Sequence, residues 1–158
     1  MNASLPPPGS FPSPSELGSA IWRTQRAIER AADALLAPLG LATPVVRILR
    51  LLDHQPGQSA ADLARHMGLA PQSVALVLSV AQRSGLVERR AHPVHRRVQQ
   101  VFLTPAGQLA YEKAAEAIAS LERQLAADMD KGTKNRFWNQ LRTVTERAEA
   151  LTAHRQAK

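Results

Sequence analysis

Apolar and polar positions in this chain fall into blocks whose spacing changes from helical to strand-like and back. Leu17, Ile21, Thr24, Ile28, Ala31 or Ala32, Leu35 and Leu39 recur at helical steps and predict a helix that starts near Ser15 and ends at Pro38 and Gly40. Thr43-Pro44 opens a second helix, which runs through Leu52 and stops before Pro56-Gly57. Ser59 is placed to N-cap a third helix, with Asp62 three residues on to close a capping box. Leu63, Ala64 and Met67 give that helix one apolar face, and Gly68 supplies the left-handed residue that ends it. Pro71 suits the first turn of the next helix. Val74, Val77, Leu78 and Ala81 share its inward face, whereas Gln72, Leu76, Ser79 and Arg83 point the other way. Gly85 stops it. Leu86-Val87 begins a strand, and Val98 to Leu103 returns as a second, rich in β-branched and aromatic residues. Thr104-Pro105 reads as the cap and first residue of a long helix reaching about Met129, with Ala114, Ile118, Leu121 and Leu125 on one face. Asp130 to Thr133 interrupts the pattern. The last helix carries Phe137, Leu141, Val144, Ala148 and Leu151 at heptad spacing.

Between Ser59 and Thr104 this order is helix, turn, helix and hairpin, with Arg89, Arg90, Arg96 and Arg97 around the hairpin tip. A helix-turn-helix followed by such a wing places one helix in a DNA major groove and a cationic loop beside it. Charge agrees with that reading. The 158 residues carry a formal net charge of +7, and the excess peaks here, with six Arg against Asp62 and Glu88. A sequence pI of about 11.0 is an electrostatic sign of nucleic-acid binding. The absence of cysteine excludes disulfides, thiolate metal sites and a thiol redox switch. No apolar run is long enough to span a membrane, and the N-terminus lacks the build of a secretory signal, so a cytoplasmic protein is expected.

The outward face of the second short helix holds the candidate reading residues. Gln72 has the donor–acceptor pair that matches adenine N6 and N7, and Ser73 reaches a base or a phosphate. Leu76 offers only an apolar contact, for which a thymine methyl is a partner; Ser79 and Arg83 complete the face. At the wing, Arg96 and Arg97 suit either a narrow A·T-rich minor groove or phosphates alone. His92 and His95 flank a turn containing Pro93 without accompanying acids, which is not a metal-binding pattern, and no metal or other cofactor is expected. No phosphate-cradling glycine loop, nucleophile elbow or metalloprotease motif occurs, so the chain does not read as an enzyme.

Gly68-Leu69, Ser73-Val74, the run Ser84 to Arg90, Arg96-Arg97 and Leu103-Thr104-Pro105-Ala106-Gly107 resemble the winged-helix core of MarR-family transcriptional regulators. The similarity is strongest from Ser59 to Gly107. It departs from the family pattern at Leu76, where a basic residue is common, and at His92 and His95, where acids are common. The resemblance implies a mainly α fold: a winged helix-turn-helix with a small β-hairpin and long terminal dimerisation helices. Composition makes residues 1–15 a flexible Pro/Ser-rich tail, and the resemblance divides the remainder into an N-terminal dimerisation helix (16–40), a DNA-binding region (41–104) and C-terminal dimerisation helices (105–158). It further implies a homodimeric repressor on a palindromic operator in double-stranded DNA, with a monomer whose terminal helices pack on each other as the alternative. A small aromatic or anionic effector would sit near Trp22, Arg26, Arg47, His54 and Tyr111, for which core packing and surface ion pairs are the plainer alternative. A winged helix that docks a protein, with Leu76 and Val80 facing outward, is the other function considered.

Overall fold

The structure, a computed structural model, describes residues 14–94 and 98–156. The chain divides after Ala119 into two compact units.

In the first unit, α1 (Pro14–Leu36) runs into a short 3-10 turn, Ala37–Leu39, closed by Gly40 in the left-handed region at φ 67°. Most of the apolar stripe read from the sequence is left exposed by this chain: Leu17, Ile21, Ile28, Leu35 and Leu39 all remain accessible, whereas Ala32 of the stripe is buried. Packing within the chain runs through Ala32 and the fully buried Leu36, absent from the stripe, which meets Val46 and Ala114. The next helix, α2 (Thr43–His54), is tied back to α1 by Asp33, whose Oδ1 accepts from the Thr43 hydroxyl at 2.6 Å and the Thr43 amide at 3.1 Å. These two bonds hold the Asp33 carboxyl below the ordinary aspartate range.

Strand β1 (Gln58–Ser59) leads into α3 (Ala60–Met67), α4 (Pro71–Arg83), β2 (Val87–Ala91), β3 (Gln99–Leu103) and α5 (Pro105–Leu125). The sequence predicts two strands; the sheet has three, in the antiparallel order β1-β3-β2. Two residues are too short to show a period-two pattern, so β1 is defined only by its partner, with Gln58 opposite Val101. In the hairpin, Val87 lies opposite Leu103 and Ala91 opposite Gln99. One continuous core joins these elements. Ile48, Leu49 and Leu52 of α2, Leu63 of α3, Val74, Leu78 and Ala81 of α4, and Val87 and Val101 of the sheet are all buried in it.

The second unit begins at Ser120 and contains the end of α5 and all of α6 (Lys131–Gln156). Helix α5 stops at Leu125, short of the expected Met129, and Leu125 is exposed rather than packed. Asp130 starts α6: its Oδ1 accepts from the Thr133 amide at 2.7 Å, an N-cap bond that ends the preceding break. On α6, Leu141 and Val144 are half-buried, while Phe137, Trp138 and Leu151 are exposed. The Phe137 and Trp138 rings meet edge to face with centroids 6.2 Å apart.

Candidate nucleic-acid interface

Helix α3 is fixed at both ends by its own sequence. The Ser59 hydroxyl accepts from the Asp62 amide at 3.2 Å, and the Asp62 carboxylate accepts from the Ser59 hydroxyl at 2.7 Å and its amide at 3.1 Å. This reciprocal box satisfies two N–H groups that a helix start otherwise leaves unbonded. It also holds the Asp62 carboxyl below the ordinary range, through the Ser59 hydroxyl first and the Ser59 amide second. At the other end Gly68 takes φ 62°, and the Leu69 amide donates back to the Ala64 carbonyl at 3.1 Å, which turns the chain sharply into α4.

Burial of Val74, Leu78 and Ala81 fixes the rotation of α4 and so determines what faces outward. Gln72, Ser73 and Leu76 are exposed, and Leu76 retains 67% of its accessible surface. Ser79 is half-buried and accepts from the Arg83 guanidinium at 2.9 Å, so these two sequence-selected residues are joined to each other. Val80 is exposed at the edge of the same surface. The expected separation of faces holds for Val74, Leu78 and Ala81 inward and for Gln72, Leu76 and Arg83 outward, whereas Val77 and Ser79 are both half-buried at the boundary.

On the hairpin, Arg96 and Arg97 lie outside the described residues. Their neighbours carry contacts that the sequence reading missed. The Arg90 guanidinium lies 4.8 Å from the centre of the Phe102 ring and pairs with Glu88. Cross-strand register is the signal that was lacking: Glu88 lies opposite Phe102 and Arg90 opposite Gln100, which puts all four on one face. Arg89, on the other face with Val87, is exposed. The base of the wing is closed by Thr104, whose hydroxyl donates to the Gly85 carbonyl at 2.6 Å and accepts from the Gly107 amide at 3.0 Å.

A buried polar link lies beneath α3. Gln58 is 5% exposed; its Nε2 donates to the Leu51 and Gln55 carbonyls at 3.0 and 3.1 Å, and its Oε1 lies 2.6 Å from His66 Nδ1. With the amide nitrogen committed to two carbonyls, Oε1 is an acceptor, so Nδ1 of His66 carries the proton. The candidate effector residues are only partly gathered. Arg26 and Arg47 meet at Glu29, at 3.3 and 3.5 Å. Trp22 is 63% exposed on α1, His54 is exposed at the end of α2, and Tyr111 packs against the main core.

A helix-turn-helix welded to a β-wing, with one face of its second helix left open to solvent, defines a winged helix-turn-helix protein. The MarR family profile matches residues 39–98. The chain is 37% identical over 102 residues to HTH-type transcriptional repressor Rv2887 of Mycobacterium tuberculosis, a match spanning 65% of this chain and 73% of that one. The chain belongs to the MarR family of transcriptional regulators. Two solved structures of the Mycobacterium tuberculosis protein superpose on it. Its complex with DNA gives a TM-score of 0.67 at 27% identity, covering 85% of this chain and 98% of the other. Its complex with salicylic acid gives 0.66 at 28% identity, covering 86% and 98%.

Proposed function

We propose that this chain is a homodimeric repressor that binds a palindromic operator in double-stranded DNA and releases it on binding a small aromatic or anionic effector. The observation that carries this reading is the outward face of α4, whose rotation is set by Val74, Leu78 and Ala81 in the core. A related repressor that has been solved both with DNA and with salicylic acid supports it. Gln72, Ser73, Leu76, Ser79 and Arg83 form the major-groove surface, and Arg96 and Arg97 act from the wing.

Residues 16–40 and 105–158 serve as dimerisation helices, with 41–104 as the DNA-binding region. Exposed Leu17, Ile21 and Trp22 on α1, and exposed Phe137 and Trp138 on α6, support that assignment, because a second copy removes such side chains from water. The effector sits near Trp22, Arg26, Arg47, His54 and Tyr111, where the Arg26–Glu29–Arg47 group supplies a net positive charge. The protein works in the cytoplasm and has no enzymatic activity. No single helix among the described residues is long and apolar enough to cross a membrane.

The test is selection of bound duplexes from random-sequence DNA, followed by affinity measurement against salt. The dimer should prefer a palindrome, and log affinity should fall linearly with log salt, by about 0.9 per phosphate neutralised. Binding without sequence preference or salt response refutes the proposal. Absence of any duplex binding favours a protein partner for the Leu76–Val80 surface.

A further inference from the structure

The chemistry of α4 narrows what its open face reads. From Pro71 to Gln82 the helix contains no charged residue, and the one cation that follows, Arg83, donates to Ser79. The commonest side-chain readers of guanine, Arg and Lys, are therefore missing from the first three turns. Along the exposed face run Gln72, Ser73, Ala75 and Leu76, with Val80 one turn beyond Leu76. Leu76 sits between polar Gln72 and Ser79 and keeps 67% of its surface in water, a cost that packing within the chain does not relieve. In the major groove only thymine presents a methyl group, and only adenine presents the acceptor–donor pair that Gln matches. Side chains four apart on a helix lie about 5–6 Å from each other, within reach of neighbouring base pairs.

We infer that α4 reads A·T base pairs, and that Leu76 is a specificity-determining residue that seats against thymine C5 methyl groups beside the base read by Gln72. The inference rests on the proposal that α4 faces DNA and adds the identity of the bases. Specificity at these positions comes from apolar contact rather than from charge. It therefore persists at salt concentrations that weaken phosphate binding.

The experiment uses the full chain and a duplex carrying its selected site. Each thymine is replaced in turn by deoxyuridine, which lacks only the methyl group. Removing one buried methyl is expected to weaken binding about fourfold at one position per half-site, and to change other positions little. Leu76→Ala should bind the thymine duplex more weakly and lose most of that discrimination. Leu76→Met, of similar volume, should restore it. Because Leu76 is exposed, both variants keep the fold, which circular dichroism verifies. Tight sequence-specific binding with no thymine–deoxyuridine difference overturns the Leu76 inference and leaves the DNA reading intact. Discrimination that survives in Leu76→Ala overturns it as well. Failure to bind any duplex removes both together.

Discussion

Gly107 is the glycine with the least room for a side chain, and replacing it with alanine should destabilise the protein. A Cβ built at this position lies 1.9 Å from the Leu86 carbonyl oxygen and 2.8 Å from its carbonyl carbon. An ordinary carbon–oxygen contact is about 3.3 Å or longer, so the start of α5 and the Leu86 backbone must separate by more than about 1 Å. Neither side yields easily. The Leu86 amide donates to Ala81 at 2.9 Å, its carbonyl accepts from Thr104 at 3.1 Å, and Gly107 itself donates to the Thr104 hydroxyl. Overpacking of this kind costs about 1–3 kcal/mol, and a lost hydrogen bond adds about 1 kcal/mol. The better helix propensity of alanine returns at most about 1 kcal/mol. A net loss of about 1–3 kcal/mol corresponds to a melting temperature lower by roughly 2–12 °C in a chain of this size. Thermal unfolding of wild type and Gly107→Ala at equal protein concentration measures it, since the proposed dimerisation would make the midpoint concentration-dependent. An unchanged or raised midpoint would refute the close-approach argument.

Further consequences can be measured separately. The Asp62 carboxyl is lowered in the folded state, so its contribution to stability is complete above the ordinary value of 3.8 and is lost as pH falls through the lower folded value; urea unfolding of Asp62→Asn should show a weaker acid dependence in that window, and identical slopes would argue against the capping box as its source. Ser59→Ala should cost about 1 kcal/mol in the same assay, the usual worth of an N-cap. Replacing Arg96 and Arg97 together with alanine should flatten the salt slope of DNA binding by up to about two contacts, and an unaltered slope removes the wing from the interface. Leu17→Glu with Ile21→Glu should yield a monomer by sedimentation; a persistent dimer would mean that α1 is not part of the contact.

Local chemistry made much of this fold legible. Ser59, Asp62 and Gly68 declare the ends of α3 because caps act through side chains one turn away, and Val74, Leu78 and Ala81 reveal their shared face by spacing alone. What escaped depended on distant partners. On α1 two apolar surfaces compete, and only the positions of Val46 and Ala114 show that Leu36 belongs to the core while Leu35 does not. Nothing in the sequence around Gln58 points to burial, yet it is buried, with its amide bonded to the Leu51 and Gln55 carbonyls and to His66. Gly107 carries no sign of Leu86 in its neighbourhood of sequence. Within the interface, the outward residues of α4 were readable from periodicity, whereas the Arg90–Phe102 contact required the strand register.

Ser59 has two attachments at once: its backbone lies opposite Gln100 in the wing strand, and its side chain closes the first turn of α3. The start of α3 and the wing strand β3 are therefore coupled through one residue rather than through a flexible linker. Ser59→Ala removes only the side-chain half of that coupling, because the backbone pairing with Gln100 does not depend on the hydroxyl.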